Sequence, residues 1–387
     1  MTAPILRVQA ITSDAGLDAL RVEWDALLDE SDQSVYFLRY AWVRAWWRAY
    51  SPPRSSLMVL TCRDARGVLV GLAPFYRRQH RTLGVRHARE ILFLGTGLHL
   101  RTSEALDIVA RKSNESAVAE AICGFLEAQV DWDRLWLADV PETSPMLPHL
   151  RRGLGRRLSV QPYGRAHHVE TRSGWDTFLS SLGKSMRTNL AYYTRRLFRT
   201  HTCTFNLVAG PDDFQRAAGA LVRLHQELWT SRGEPGAFSR GRFREFLQET
   251  MREALDAGRL RLWTLSVDGS IAAVLLGFLD KGVVHYFQGG VDPRYARESL
   301  GTVMLGLCIR ACIDDPAVIA FDFMGGDASY KESWTRQGTA RVELTAERPG
   351  LRTLLLGGQH SLKRLAKGVV PAPLWEAVRR FVLQRRT

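Results

Sequence analysis

The stretch FDFMGGDASYKESW, residues 321–334, begins with the alternation of a buried strand and then changes character abruptly. Two glycines and an aspartate follow the strand, and Tyr330 and Lys331 stand side by side after them. The glycines alone would be enough for a turn. Functional groups in α/β sheets usually lie on the loops at strand ends, so this collection predicts a site at the end of a strand.

Three side chains of this stretch are candidates for proton transfer and orientation: Asp327, Tyr330 and Lys331. Lys331 could hold a phosphate or a developing oxyanion, and Tyr330 could return a proton to a leaving group. The alternative is a plain turn in which Tyr330 and Trp334 pack in the core and Lys331 is exposed. A plain turn does not explain the adjacent Tyr–Lys pair, and we therefore favour the site.

The composition is that of a globular protein with more than one domain. With 387 residues the chain is too long for one ordinary core, and its 45% hydrophobic and 24% charged residues exclude a disordered chain. No apolar run approaches the roughly 20 residues of a membrane-spanning helix, and the N-terminus lacks the pattern of a secretory signal. The five scattered cysteines complete no metal-binding set, so we expect reduced thiols in a cytoplasmic protein.

The net charge of +13 comes from arginine, which accounts for 47 of the 53 basic residues. A basic surface attracts phosphates, nucleic acid or anionic lipid. An arginine bias also follows from genome composition, and both explanations stay open. The segment 350–387 carries eight basic residues against Glu376 alone. It predicts a basic helical tail that either docks on an anionic membrane surface or folds against the domain.

Strands and helices alternate in a similar order in both halves of the chain. In the first half we predict strands at 5–12, 57–78 (a hairpin), 91–99 and 133–140, and helices at 14–29, 34–50 and 113–130. An irregular basic link at 151–168 leads to the second half. There we predict strands at 167–171, 204–210, 259–269, 270–280, 282–290, 317–324 and 340–346, and helices at 175–200, 211–231, 240–257 and 299–313.

The helix LGKSMRTNLAYYTRRLFR, residues 182–199, is strongly two-sided in projection. One face carries the cations Lys184, Arg187, Arg195 and Arg199, and the opposite face carries Met186, Leu190, Tyr193 and Leu197. The helix has no acidic residue to neutralise these cations. The pattern indicates either a solvated surface helix or one wall of a groove for an anionic substrate, lined by Lys184 and Arg187.

The stretch GGVDPRYARESLGTVMLGLCIRACI, residues 289–313, combines a strand exit, a loop and a helix start. Ser299 is placed to cap the helix, and Gly301 removes a side chain from its first turn. The exposed N–H groups there, with Arg294 and Arg297 beside them, predict a phosphate cradle. One glycine after a serine also begins many ordinary helices, and that alternative stays open.

Two histidines are further candidates. His225 lies on a predicted helix and could act as a general base, because imidazole titrates near neutrality. His285, in the predicted strand ending HYFQGG, could contact substrate. A structural role in the core is the alternative for both.

These pieces together resemble a known family. LGKSMRTNLAYYTRRL, LHQELWTSRGEPGAF, HYFQGGVDPRY, SLGTVMLGLCIRACI and FDFMGGDASYKESW are similar, in this order, to GNAT-superfamily acetyltransferases related to the cellulose-biosynthesis protein CelD, which are built like FemAB peptidyltransferases. SVYFLRYAWVRAWW, GLAPFYRR and DWDRLWLADVPETSP in the first half are also family-like.

The resemblance implies an α/β (α+β) protein of two GNAT-like domains, each with a mixed, mostly antiparallel sheet flanked by helices. The expected domains are 1–160 and 161–349, the second carrying the acyltransferase site, followed by the helical tail at 350–387. The implied reaction moves an acyl group from acetyl-CoA or another acyl-CoA to an amine or hydroxyl of an envelope polysaccharide precursor or small molecule. We expect a cytoplasmic protein, or one peripheral at the inner face of the membrane.

Carried over by position, the resemblance assigns the site residues. Arg294, Arg297, Ser299 and Gly301 would bind the donor's phosphates; Lys184, Arg187 and His285 would bind substrate; and His225, Asp327, Tyr330 and Lys331 would be catalytic. Ordinary GNAT enzymes carry Arg/Gln-x-x-Gly-x-Gly/Ala in the phosphate loop, whereas this chain has one glycine in Arg297–Gly301. FemAB-type enzymes also lack that loop and use aminoacyl-tRNA, so tRNA stays an alternative donor and a non-catalytic scaffold a further alternative.

Overall fold

A computed structural model describes residues 6–82, 85–98, 102–231, 233–326 and 329–350 of the protein. Asp327 and the predicted helical tail beyond Gly350 lie outside these residues.

The first half of the chain places a group of helices between its first two strands. Its strands are β1 (Arg7–Ile11), β2 (Ser55–Arg63), β3 (Leu69–Thr82), β4 (Val85–Phe93), β5 (Val109–Ala110) and β6 (Arg134–Pro141). Its helices are α1 (Asp14–Ala19), α2 (Arg21–Asp29), α3 (Tyr40–Tyr50), α4 (Glu115–Gln129) and α5 (Leu147–Leu154), with a short 3₁₀ turn at Tyr36–Leu38.

The second half repeats this order with longer helices. Its strands are β7 (Leu158–Glu170), β8 (Cys203–Leu207), β9 (Leu260–Val267), β10 (Ser270–Asp280), β11 (Val283–Val291), β12 (Ala320–Asp322) and β13 (Gly338–Glu347). Its helices are α6 (Trp175–Ser181), α7 (Lys184–Thr200), α8 (Pro211–Ser231), α9 (Gly241–Asp256) and α10 (Leu300–Asp314), with 3₁₀ turns at Pro293–Glu298 and Ser329–Ser333.

The described strands form one sheet in the order β1-β2-β3-β4-β6-β13-β7-β12-β11-β10-β9-β8, with β5 beside β3. Each half contains one parallel pair, β4 with β6 and β11 with β12, and a helix, α4 or α10, precedes the second strand of each pair. The other neighbouring pairs are antiparallel. The expected fold class, a mixed and mostly antiparallel α/β arrangement in two similar halves, is confirmed.

Strand β13 lies far from its neighbours in sequence. It pairs with β6 on one side and with β7 on the other, so the last described strand closes the sheet between the two halves. The sequence predicted a strand at 340–346 but not its position between β6 and β7 in the sheet. The expected domain boundary at 160/161 falls inside β7, which pairs with β13 along its first part and with β12 at its end.

Three sequence predictions of elements were wrong. The basic link at 151–168 is the end of α5 and most of β7; the middle of β7 is exposed, and its residues therefore show no apolar alternation. Helix 175–200 is interrupted at Leu182 and Gly183, whose extended backbone separates α6 from α7. Helix 14–29 is divided at Leu20 into α1 and α2.

Buried contacts join the two halves. Trp42 of α3 packs edge-to-face against Phe278 and Phe287, with ring centroids 5.4 and 5.2 Å apart. Beside these rings, the Arg39 guanidinium donates from Nε to Asp280 Oδ1 at 2.8 Å, and both side chains are almost fully buried. If the halves moved apart or either partner were removed, a buried charge would be left unpaired at a large cost in free energy. The pair therefore favours one relative arrangement of the halves.

Two glycines allow close packing in the second half of the chain, one between a helix and the sheet and one between two helices. A Cβ at Gly290 of β11 would lie 2.6 Å from the backbone nitrogen of His225 in α8. At Gly306 of α10 a Cβ would lie 2.5 Å from Leu190 Cδ1 of α7. Glycine at these positions therefore sets the distance of α8 from β11 and of α7 from α10.

We predict that Gly290→Ala lowers the free energy of unfolding by about 1–3 kcal/mol, because the backbone of α8 must move to admit the methyl group. The matched control is Gly219→Ala on the exposed side of α8, where no atom in the described part of the chain lies within 4 Å of the new Cβ. It should raise the free energy of unfolding by about 0.5–1 kcal/mol. Urea unfolding measures both, and equal effects of the two substitutions would contradict the packing described for Gly290.

Candidate functional site

The strands β11 and β12 separate after a very short pairing. They are in register at three residue pairs, from Val283 with Ala320 to His285 with Asp322. Strand β11 then continues to Val291, while β12 ends. The edge of β11 beyond His285 is thus left without β12 as a neighbour, and a cavity of about 610 Å³ lies beside it.

This cavity, which we call the splay cavity, has three main walls, and residues of α7, α8 and β10 complete its lining. One wall is β11 from Tyr286 to Val291 with the first turns of α10, and another is the segment that follows β12. The first half of the chain adds a third wall with Phe37, Thr102 and Glu104. The site at the end of strand 317–324, expected from the sequence, therefore coincides with a real concavity.

Backbone groups of β11 are available along the open edge. The N–H of Asp292, directly after β11, donates to Ala272 O of β10 at 2.8 Å. Because N–H and C=O directions alternate along an antiparallel strand, Gly289 and Val291 direct theirs towards the opposite, open side. The splay cavity thus offers a row of backbone donors and acceptors to an extended ligand.

Helix α10 begins at the end of the splay cavity. The amides of Thr302 and Val303 both donate to Ser299 O, at 2.9 and 3.2 Å, so the N–H groups of Leu300 and Gly301 precede the first bonded turn. Gly301 is exposed, and among the described residues only Val291 Cγ1, at 3.8 Å, lies within 4 Å of a Cβ built there. The helix dipole and these amides favour an anion at this position.

The expected capping role of Ser299 was wrong. Ser299 adopts the left-handed conformation, with φ of 49°, and its side chain makes no capping hydrogen bond. Arg294 and Arg297 are exposed next to it. The Arg294 guanidinium is oriented by Asp292, with Nη2 2.7 Å from Oδ2, and this contact holds the pKa of Asp292 below its usual range.

Lys331 is buried instead of lying free on a rim. Its Nζ donates to the carbonyl oxygens of Met324 at 3.0 Å and Gly325 at 2.6 Å. These bonds close the turn after β12, in which Met324 has a φ of 62° and Gly326 a φ of 103°. Lys331 therefore shapes the wall of the splay cavity and places a positive charge in it.

Tyr330 lies on the same wall, and 44% of its surface is exposed. Surrounding protein atoms raise the pKa of its hydroxyl above the ordinary value, so it is protonated at neutral pH. Trp334, expected in the core, is buried and stacks on Phe178 with ring centroids 6.4 Å apart. Of the four predicted catalytic residues, Tyr330 and Lys331 line the splay cavity, and Asp327 is outside the described residues.

His225 lies behind the cavity wall. It is 2% exposed on α8, and its ring packs edge-to-face on Phe238 at 4.9 Å. Burial lowers the pKa of its imidazole, while side-chain hydrogen bonding with Gln226 and Gln288 acts in the opposite direction. Gln288 is among the described residues that line the splay cavity, and His225 is not.

The predicted substrate-binding residues are divided. Lys184 and Arg187 are exposed at the start of α7, and Met186 between them lines the splay cavity. His285 instead lines a second cavity and approaches Ser34 O with Nε2 at 3.1 Å. The structure thus brings the start of α7 to the splay cavity and places His285 elsewhere.

Glu104 is a residue that the sequence analysis missed. It comes from the first half of the chain, lines the splay cavity, and accepts a hydrogen bond from the N–H of Gly325 at 2.5 Å. This contact joins residues 221 positions apart, and no local pattern around Glu104 signals it. It adds a carboxylate to a cavity for which the sequence offered Tyr330 and Lys331.

Within the described residues, no group of three or more His, Cys, Asp or Glu side chains is arranged to hold a metal ion. The five cysteines are free thiols, and burial raises the pKa of Cys308 well above the ordinary value. Of the helices in the described ranges, none has the length and apolar character needed to cross a membrane.

Comparison with known proteins places this geometry in a family context. Residues 184–332 match the family model described as an acetyltransferase (GNAT) domain. The second half of the chain carries a GNAT-type domain. The match begins at the first residue of α7 and ends in the 3₁₀ turn that contains Lys331, so it includes every residue that the second half contributes to the splay cavity except Ser333 and Trp334. Comparison with curated protein sequences gave no match.

Solved structures are similar over most of the chain. FemX has a TM-score of 0.61 at 9% identity, covering 88% of this chain and 97% of its own. L-PGS from Bacillus licheniformis has a TM-score of 0.53 at 12% identity, covering 87% and 94%. A conserved protein of unknown function from Bacteroides thetaiotaomicron has a TM-score of 0.56 at 12% identity, covering 89% and 100%. At these identities the likeness is one of fold.

We predict that Lys331→Met lowers the free energy of unfolding by about 2 kcal/mol, because two charged hydrogen bonds to backbone carbonyls are lost. Tyr330→Phe is the matched control on the adjacent, partly exposed residue and should change it by less than about 0.5 kcal/mol. Thermal and urea unfolding measure both variants. An unchanged stability in Lys331→Met would show that Lys331 does not close the turn.

Proposed function

We propose that the protein is an acyltransferase that moves an acyl group from acetyl-CoA or another acyl-CoA to an amine or hydroxyl. The observation that carries this proposal is the open edge of β11 leading directly to the uncapped start of α10. An extended chain ending in phosphates fits such a track, because strand amides bind its backbone-like part and helix amides bind its charged end.

The donor would occupy the β11 side of the splay cavity. Amide groups of an acyl-CoA would pair with Gly289 and Val291, and its phosphates would lie at Leu300 and Gly301. Arg297, with Arg294 held in place by Asp292, would supply positive charge beside them. The open space beside the Cα of Gly301 supports this arrangement, because the packing of the described residues does not require a glycine there.

The acceptor would approach from the opposite wall. Glu104 is a candidate base that takes the proton of the acceptor amine or hydroxyl as it attacks the thioester carbon. The carbon–sulfur bond then breaks, and Tyr330 is a candidate acid that returns a proton to the departing thiolate. Backbone N–H groups of β11 and the charge of Lys331 would stabilise the oxyanion formed between these steps.

Two alternatives to acyl-CoA-dependent transfer are each supported by different observations. Aminoacyl-tRNA transfer is supported by the FemAB-type resemblance, by the single glycine in Arg297–Gly301 and by the acid-free basic face of α7. A non-catalytic scaffold in polysaccharide biosynthesis rests on the CelD-type resemblance alone, as does an envelope polysaccharide acceptor for the enzyme. The carboxylate, hydroxyl and backbone donors around one cavity favour the enzyme.

Calorimetric titration with acetyl-CoA tests the donor. We expect binding to the wild type and at least about tenfold weaker binding to Gly301→Asp, because a carboxylate at the start of α10 repels phosphate. Gly301→Asn is the matched control for bulk and should retain most of the affinity. Equal losses in both variants would contradict the phosphate position.

If wild-type protein binds neither acetyl-CoA nor longer acyl-CoA, the donor assignment is overturned. Release of amino acid from charged tRNA then tests the aminoacyl alternative directly.

The role of Glu104 has its own test. Glu104→Gln keeps an oxygen that accepts from Gly325 N–H but removes the base. We expect kcat to fall by about 10²–10⁴-fold with little change in acetyl-CoA affinity. Thiol release from acetyl-CoA with the best acceptor from a panel of amines and sugars measures the rate. Glu142→Gln, an exposed glutamate on the loop after β6, is the control; a Glu104→Gln rate as high as the control's would exclude the base.

A further inference from the structure

A second cavity, of about 270 Å³, lies where the two halves of the chain meet. It shares no lining residue with the splay cavity. Strands β11, β12 and β13 supply its floor through His285, Asp322 and Arg341, and loops of the first half supply its other walls. We call it the inter-half cavity. The three residue pairs of β11 and β12 separate it from the splay cavity.

His285 presents an unpartnered acceptor to this cavity. Its Nε2 lies 3.1 Å from Ser34 O and therefore carries the proton, so that Nδ1 has a free lone pair. Burial lowers the pKa of this imidazole, and the ring is neutral at neutral pH. His285 is 2% exposed, and Nδ1 has no hydrogen-bond partner among the residues that the structure describes.

Asp322 places a second acceptor opposite the first. Its Oδ2 lies 3.9 Å from His285 Nδ1, while its Oδ1 accepts from Met324 N–H at 2.7 Å. Two acceptors at this separation repel each other unless a donor lies between them. One donor nitrogen can reach both at about 2.8–3.0 Å.

Gln33 contributes a third acceptor. Its Nε2 donates to Ile108 O at 2.9 Å and faces Asp107, which fixes the orientation of the amide. Its Oε1 is buried and has no hydrogen-bond partner within the described part of the chain. Gln33 Oε1 and His285 Nδ1 can therefore each accept a hydrogen bond from a ligand that carries donors.

The charge of the inter-half cavity is negative. Asp32, Asp107 and Asp322 line it, with the guanidinium of Arg341 as the one Lys or Arg cation of the described lining; Lys112, outside the lining, pairs with Asp32 at 3.2 Å. Arg341 is already flanked by Asp139 at 3.8 Å and Asp322 at 3.9 Å. Asp107 is fully buried and accepts from Ser144 at 2.6 Å, a neutral donor, and burial raises its pKa to about 6. At neutral pH the cavity thus holds more anionic than cationic charge.

We propose that the inter-half cavity binds the ammonium group of a small primary amine, with Asp322 and His285 accepting its N–H groups and Asp107 adding to the attraction. A primary ammonium supplies both three donors and a positive charge. Asp32 and Thr143 are exposed, and they mark the route by which the amine enters. This binding site is independent of the acyl-transfer proposal.

Calorimetric titration of the full chain with ethanolamine tests the proposal. We expect saturable binding of ethanolamine, and at least about tenfold weaker binding both of ethylene glycol, which lacks the charge, and of tetramethylammonium, which lacks the N–H donors. Absence of ethanolamine binding at millimolar concentrations overturns the proposal. So does equal binding of either comparison compound. Because no variant is involved, this comparison does not depend on the folding of a mutant.

Variants locate the site. Asp322→Asn keeps the acceptor for Met324 N–H and removes the charge, and Asp107→Asn removes the charge at the other wall. Each should weaken ethanolamine binding at least about tenfold, while Asp256→Asn, an exposed aspartate at the end of α9, should leave it unchanged. Unchanged binding in both cavity variants overturns the location. The readout is binding of an amine, so it stays decisive whether or not acetyl-CoA binds the splay cavity.

Discussion

The short pairing of β11 with β12 is the constraint on which the rest of the molecule depends. A longer pairing would cover the β11 edge and leave no splay cavity; no pairing would leave β12 without a fixed place between β11 and β7. Three residue pairs are enough to position the strands and few enough to let them separate. The last pair, His285 with Asp322, lies at the point of separation, and its side chains line the inter-half cavity on the other side.

The sequence predicted what local patterns can encode. The strand end at 321–334, the meander of β9 to β11 and the helix after it follow from alternation, turn residues and glycines close in the chain. Of β7 it predicted only the end, as strand 167–171, because the first part of that strand is polar and its regularity comes from pairing with a segment about 180 residues later. Glu104 and the inter-half cavity were missed for the same reason: their contacts join distant segments, and a single sequence carries no record of them.

Burial changed the roles of several predicted residues. A lysine beside a tyrosine was expected at a rim, yet Lys331 donates to backbone carbonyls and fixes the wall. His225 was expected at the reacting atoms, yet the missing side chain of Gly290 lets α8 place it behind Gln288. The aromatic contacts of Trp42 and the Arg39–Asp280 pair hold the halves together, so the Glu104 wall keeps its distance from the β11 edge.

The position of β13 has a consequence for synthesis of the protein. During translation, β6 and β7 both emerge long before residues 338–347, and their facing edges have no partner until then. Unpaired edges invite pairing with other chains. The nascent protein therefore exposes both edges while the residues between Glu170 and Gly338 are synthesised, and its two halves become one continuous sheet only when β13 leaves the ribosome.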